Sequence, residues 1–587
     1  MRRHLLALAL IPALALAGCG GGDGEGGDGP RVAASVEDQL RYLDPGSSAV
    51  FAIDLRYEGR NWKHLRTVAS RALRAFRDAT PAEDRAGFPV NLTGALNMVA
   101  GYAGLSFDED VKPLLDGYLV IGITQRPVPP LPADVQALRR KPRRELTTSE
   151  QDRIFEAQTE QEDASEPRMV VVYRTRGKGL RRVLEKVAEG DKPKPVKGHD
   201  DVVTVAGVGL VGDDTLLFTE GVGDRERTLR DALDRAEDGK GFPSARLADA
   251  EREAGLDDPF ELVVADRTLA RAWVEEPSLE RATEEVPWIG AIRSIAGAVR
   301  LDEGGADVSA VVSTDPRGLE DDDLPVAPAG DLDLPRNEHI TGASRDQSFT
   351  TTFLSRTARA LFADSDFARA VERAERDLGV RFEDEVLRQF SCPSLSQFDP
   401  FSQRFGARSC VEDPERMREL LPKLSKHLPR ILTTLQRLDT QGLVGLLLIA
   451  PDAPLTPSFT QLADIVVKPF GGGDDEETLY EVTGLRDDFG SELARSGPDR
   501  VVFGLVGDTF VVGSDVRMAR AAAKLEGERL DEDAASAIRV PGSRFVDTGD
   551  DDSPEAKALT EVLKELRVTI SADRSALRAK GRIDVEE

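Results

Sequence analysis

Side chains able to do chemistry are sparse in this chain, and their spacing says as much as their identity. Beyond the first thirty residues there are four histidines: His64, His199, His339 and His427. None sits at HExxH or a similar spacing, so no zinc site from adjacent ligands is expected. His199 alone is followed by acids, Asp200 and Asp201, and Gly198 before it predicts an exposed loop. Gly207-Val208-Gly209-Leu210-Val211-Gly212 fits the G-x-G-x-x-G dinucleotide pattern. That pattern works only when a helix N-terminus follows and faces the pyrophosphate. Here Asp213-Asp214 and a strand pattern follow, so the glycines read as turn residues. The acidic runs Glu320 to Asp323, Asp474 to Glu477 and Asp550 to Asp552 lack the alternating ligands, glycine turn and closing Glu of a calcium loop. They read as solvated loops. No cofactor, no metal and no catalytic residue is expected. A Ser–His site assembled from distant positions stays open at this level.

Three cysteines remain. Arg2 and Arg3, an apolar run from Leu5 to Leu16, and small residues ending in Leu16-Ala17-Gly18-Cys19 have the order of an export signal. The Leu-Ala-Gly-Cys ending resembles the lipobox of bacterial lipoproteins, which implies that Cys19 is acylated and begins the mature chain. The competing reading is an ordinary cleaved signal with a chance cysteine. Gly20 to Gly29 (GGGDGEGGDG) then reads as a flexible tether of roughly 20 Å average span. The division is thus a signal over 1–18 and a tether over 19–30, with the body held at the extracytoplasmic face of a membrane. In that oxidising setting Cys392 and Cys410 are expected to form a disulfide, the alternative being two free thiols.

Composition narrows the class. The net charge is −28, from 105 acidic and 77 basic residues. Phosphate neutralisation needs a dominant basic surface, so nucleic acid is excluded as a general partner. No apolar run after the signal approaches the roughly 20 residues of a spanning helix.

The elements that would position any site follow from periodicity. Ser48 to Leu55 alternates as a strand, and Arg60 to Ala79 is the clearest helix. On that helix Trp62, Leu65, Ala69, Leu73 and Phe76 share one face. Arg60, Lys63, Arg66, Arg71, Arg74 and Arg77 spread over the remaining arc. Such an arc reverses the sign of an acidic chain close to its tether, and reads either as a membrane- or partner-facing basic patch or as an ordinary solvated face. The Pro-rich and then basic stretch 125–167 reads as an exposed insertion in a first half, 31–314. A linker over 315–336 and a second half over 337–587 follow. Arg381 to Val386 echoes Ser106 to Val111. The strand and helix at 405–426 echo those at 168–188, Val506-Gly507-Asp508 echoes Val211-Gly212-Asp213, and closing hairpins end both halves. The expectation is an α+β fold of two related halves from an internal duplication, each a mostly antiparallel sheet with packed helices.

The lipobox, the Asp44-Pro45-Gly46 turn leading into an alternating strand, and the Val-Gly-Asp strand pairs resemble a bacterial extracytoplasmic lipoprotein family catalogued only as a domain of unknown function. The resemblance implies no activity and assigns no functional residue. Three functions are weighed: a non-catalytic envelope lipoprotein binding an envelope protein or an apolar ligand, which leads; a structural envelope component; and a hydrolase with a dispersed site. Replacing Cys19 with Ser is expected to release the protein from membranes or stall its processing. Normal processing with full membrane retention of Cys19→Ser on fractionation would contradict the anchor.

Overall fold

The computed structural model describes residues 31–80, 85, 89–126, 129, 131–139, 146–165, 167–188, 192–220, 225–272, 276–363, 366–399, 402–435, 461–470, 477–486, 500–544 and 562–586. The signal, Cys19 and the tether lie outside them, as do Asp474, Asp475 and Glu476 and the acids Asp550 to Asp552. The described chain opens with α1 (Arg31–Leu40), β1 (Ala49–Asp54), α2 (Arg60–Ala79), α3 (Leu92–Tyr102) and β2 (Tyr118–Thr124). The insertion carries α4 (Ala133–Arg139) and α5 (Thr148–Ser165), and then come β3 (Arg168–Arg174) and α6 (Leu180–Val187). Strands β4 (Lys194–Val196), β5 (His199–Val205), β6 (Val208–Val211) and β7 (Thr215–Glu220) form a meander. Helices α7 (Arg225–Asp238) and α8 (Ser244–Ala254) precede β8 (Glu261–Ala265), α9 (Glu276–Glu285), α10 (Pro287–Ala291), β9 (Ile292–Leu301) and β10 (Gly305–Thr314).

The second half begins at β11 (Asp333–Leu334) and β12 (Ile340–Ser344), followed by α11 (Gln347–Leu361) and α12 (Asp366–Leu378). Then come β13 (Ser394–Asp399), β14 (Arg404–Cys410), α13 (Pro414–Leu435), β15 (Gln461–Phe470) and β16 (Glu477–Arg486). Strands β17 (Arg500–Val506) and β18 (Thr509–Gly513) lead to α14 (Val516–Ala522), β19 (Glu528–Arg529) and β20 (Ser536–Pro541). The hairpin β21 (Leu563–Asp573) and β22 (Ala576–Val585) closes the chain.

Twenty of these strands form one antiparallel sheet. It runs β4-β5-β6-β7-β3-β2-β1-β8-β9-β10 and continues β22-β21-β20-β12-β13-β14-β18-β17-β16-β15. The fold is α+β. Counted outward from the central β10–β22 pair, both runs take their strands in the same chain order once the small β11–β19 pair is set aside. A π-helical turn stands before β2 (Phe107–Val111) and another before β13 (Phe382–Val386), each followed by a short 3₁₀ turn. The Val-Gly-Asp pairs make the β6–β7 and β17–β18 turns, with Gly212 at φ +57° and Gly507 at φ +60°, where a side chain would be strained.

Strand alternation in the first half places two apolar faces on the sheet. Val50, Ala52, Val120, Val172 and Leu262 face α1, α7 and α8 through Val36, Leu40, Leu233 and Leu247. Ile53, Leu55, Leu119, Val171 and Tyr173 face α2 and α3 through Trp62, Leu65 and Leu92. Helices α1 and α2 are therefore on opposite faces. The expected apolar face of α2 does pack on the sheet, and Trp62 and Leu65 gain roughly 1.5–3 kcal/mol each from burial. A second apolar stripe, Val68 with Ala72 and Ala75, packs on Val562, Leu563 and Val585 of the other half.

The expected linker is a packed segment. Leu319, Leu324, Val326 and Ala327 enter a core shared by Trp288 of α10 and Phe353 of α11, and Leu332 and Leu334 enter another. Asp321 and Asp322 stay two-thirds exposed, as a solvated acidic run would, while pairing with Arg574 and Arg388, and Asp323 is largely covered beside Arg356. Cys392 and Cys410 come to a Cα–Cα separation of 5.9 Å, within the span of a disulfide. Unfolded, unreduced protein is expected to show no free thiol from this pair on titration, and its reduction to cost roughly 3 kcal/mol of stability. Two titratable thiols in the unreduced chain would exclude the bond.

Candidate functional site

The six basic residues of α2 are divided by their surroundings. Arg60, Lys63 and Arg74 are exposed, and Arg66, Arg71 and Arg77 are half-buried. Arg66 lies over the Tyr57 ring at 4.4 Å and donates to the Tyr57 carbonyl at 2.6 Å. Arg71 donates to the carbonyls of Glu303 at 3.4 Å and Glu586 at 3.0 Å, joining the two halves. Arg77 meets Asp78 at 3.4 Å. An arc of six solvated cations is thus reduced to a narrower strip, because Tyr57 and the hairpin ends occupy its flanks.

Helix α3 lies beside that strip. The Asn91 side chain caps it by accepting from Gly94 N at 2.8 Å, and Leu92 N donates to Ser70 Oγ of α2 at 3.3 Å. From Gly87 to Phe107 the sequence has no charged residue. Leu92 and Ala100 face inward, whereas Met98 is 42% and Tyr102 83% exposed, with Val90 also outward. An apolar strip therefore borders a basic one, a feature that the periodicity of the sequence alone does not bring out. Lone exposed apolar residues are ordinary, but Met98 and Tyr102 stand at i, i+4 on one outward face of a helix that carries no charge.

The start of α2 is fixed by a buried carboxylate. Asp54 is fully buried and accepts from Arg56 N at 2.9 Å, Arg56 Nε at 2.8 Å, Arg56 Nη2 at 2.9 Å and Asn61 Nδ2 at 3.1 Å. A buried charge demands such pairing. Asp258, just beyond α8, receives Arg56 Nη2 at 3.0 Å and accepts Asn61 Nδ2 on its carbonyl at 3.0 Å. At the same end of α8 the buried Glu251 carboxylate caps α1, accepting from Val32 N at 3.0 Å and Ala33 N at 3.2 Å. The point where the chain enters the body and the first turn of α2 thus share one end of the sheet.

An open cleft of about 600 Å³ lies at this end. Its charges are Arg56, Lys112, Glu58, Asp108 and Asp116, and its lining holds no serine, cysteine or histidine. Lys112 pairs with Glu58 at 3.1 Å, which raises its pKa. Asp116 accepts from Thr175 Oγ1 at 2.6 Å and from Arg176 N. Of these charges only Lys112 and Glu58 pair with each other, while Arg56 is held by Asp54 and Asp258 behind the cleft.

A second cluster overturns the reading of His199. The residue starts β5, is covered by α7, and is buried. Its Nδ1 lies 2.8 Å from Glu237 Oε1 and its Nε2 3.3 Å from Asp234 Oδ1, the two acids being i, i+3 on α7. The glycine before it makes the turn as expected, but the turn delivers the ring inward. In the G-x-G-x-x-G stretch, Gly207 at φ +82° and Gly212 flank β6 as turn residues. Among the described residues no helix is long and apolar enough to cross a membrane. Comparison with protein families, with curated proteins and with solved structures finds no match. The resemblance to an extracytoplasmic lipoprotein family therefore stands on the residues quoted for it.

His64 sits in the seam between α2 and the β9–β10 turn, buried, with Nδ1 lacking a partner. Burial lowers its pKa from the ordinary 6.5, and the Arg60 and Lys63 charges push the same way against Asp302 and Glu303. The unfolded chain then binds the proton more readily, so His64 supports stability above 6.5 and that support is lost as pH falls below it. Thermal melts from about pH 7 to about pH 5 are expected to fall more steeply for the parent than for His64→Gln. Equal slopes would remove His64 from the acid response.

Proposed function

We propose that this chain is a lipid-anchored, non-catalytic protein of the extracytoplasmic membrane surface, held by Cys19 and laid against the bilayer by the α2–α3 face to present a binding surface. The observation that carries this reading is the pairing of an exposed basic strip, Lys63 and Arg74, with the apolar strip Val90, Met98 and Tyr102. Anionic headgroups attract each nearby cation by about 1 kcal/mol, and Met and Tyr side chains suit the boundary between headgroup and acyl chain.

We also infer that the two halves descend from one duplicated unit. The shared strand order supports this, and so does a recurring local device. In the first π-turn the Asp110 carboxylate accepts from Ser106 N at 3.0 Å and from Lys186 of α6 at 2.9 Å. The Lys186 hydrogen bond is the main cause holding the Asp110 carboxyl below its ordinary range. In the second, Glu385 accepts from Arg381 N at 3.3 Å and from Arg416 of α13 at 3.1 Å. A π-helical turn is rare enough that two of them, equally placed and equally braced, favour common descent over chance.

The membrane reading is tested with the chain from Val32 onward, mixed with anionic and with neutral vesicles at low and physiological salt. Salt-sensitive binding to anionic vesicles is expected, weakened at least about thirtyfold by Lys63→Glu with Arg74→Glu, since two contacts of about 1 kcal/mol are lost. Tyr102→Ser with Met98→Ser is expected to weaken the salt-resistant part. Equal, negligible binding to both vesicles would refute the bilayer-facing surface.

A further inference from the structure

His199, Asp234 and Glu237 bring a ring and two carboxylates together between the start of β5 and α7. The imidazole side chain is only 4% exposed, whereas the Asp234 and Glu237 side chains are about two-thirds exposed, so the ring is fixed and its partners are reached from solvent. One donor atom from each of the three residues lies within 4.8 Å of the others. The two ring nitrogens are not equivalent. At 2.8 Å, Glu237 Oε1 is at the distance of a charge-assisted hydrogen bond from Nδ1. A carboxylate can only accept there, so Nδ1 carries a proton, and Nε2 is the nitrogen left to a cation on the side of Asp234 Oδ1.

The Nε2 to Oδ1 distance of 3.3 Å is long for a strong hydrogen bond between charged groups. It matches the chord between two ligands on a tetrahedral zinc ion, since legs of about 2.0–2.1 Å at the tetrahedral angle subtend about 3.3 Å. A carboxylate behind the distal ring nitrogen is how metal-binding histidines are commonly oriented and made more basic. We propose that His199 Nε2 and Asp234 coordinate a single Zn²⁺-class ion, with Glu237 orienting the ring through Nδ1 and water completing the shell on the solvent side. An imidazole–carboxylate donor pair suits a borderline transition ion and is poorly matched to Ca²⁺ or Mg²⁺, which prefer all-oxygen shells. The ion would clip the outer edge of α7 to the first residue of β5.

Isothermal titration of the soluble chain with ZnCl₂, and separately with CaCl₂, tests the site. One zinc per chain is expected, with no comparable calcium heat. Cobalt in place of zinc is expected to give the visible bands of a tetrahedral ion. Glu237→Gln is expected to weaken zinc by about 10- to 100-fold, the usual effect of losing such an orienting partner. Asp234→Asn removes a ligand and is expected to weaken zinc by at least as much. Both positions are exposed, so these variants keep the test open even where His199→Gln fails to fold. No saturable zinc binding, or zinc binding of unchanged strength in both exposed variants, would overturn the proposal, as would equal affinity for calcium.

Discussion

The pairing of β10 with β22 is the constraint on which the rest of the architecture depends. Each is the last strand of its half, and each leaves a full row of backbone donors and acceptors at a sheet edge. Nine consecutive residue pairs, from Gly305↔Asp584 to Ser313↔Ala576, satisfy those rows and turn two sheets into one. An unpaired edge of this length would template association with another chain. With the join made, other contacts gather across it. Helix α2 caps the hairpin ends by way of Arg71, its Val68 stripe covers Val585, and Trp288 meets Phe353 edge-on at 5.8 Å. The halves therefore share cores, and a boundary drawn through 315–336 would cut through one of them.

What could be read from the sequence followed from local periodicity. The bounds of α2 and the strand at 48–55 were legible because their apolar spacing is regular over many residues. The strand order was not, because β1 pairs with β8 and β3 with β7 across long intervals that no local pattern records. The segment 315–336 misled for a related reason. Its apolar residues stand singly among Pro, Gly and Asp, and only their distant partners make them core.

The candidate sites show the same limit more sharply. His199 was taken for an exposed loop residue because the acids beside it in sequence are Asp200 and Asp201. The acids beside it in space lie on α7, with Glu237 38 residues away. For α2 the residue types were read correctly and their environment was not: three of its six basic residues spend their charge or stem on Tyr57, Asp78 and the hairpin carbonyls. The neighbouring apolar strip was visible only as a long interval without charge, a signal that gains meaning once α3 is known to stand at the surface.

Electrostatics then bears on how an anchored body of this kind would stand. A chain of net charge −28 beside an anionic bilayer is repelled from most directions, and at physiological salt the repulsion acts over about 8 Å. On the proposed anchoring through Cys19, a glycine-rich tether of roughly 20 Å would leave the body free to turn within and beyond that distance. Among orientations, the one that brings Lys63 and Arg74 inside the screened layer is favoured, since it exchanges repulsion for attraction. The Glu251 clamp on Val32 and Ala33 makes that orientation reachable. It fixes the chain's entry at the end of the sheet where Asp258 holds the first turn of α2, so an anchor on that side would pull on the end of the helix that carries Lys63. Because α1 and α2 lie on opposite faces, the proposed orientation would require the segment before Val32 to reach around the rim of the sheet, so its length, more than its composition, would set whether the face reaches the bilayer.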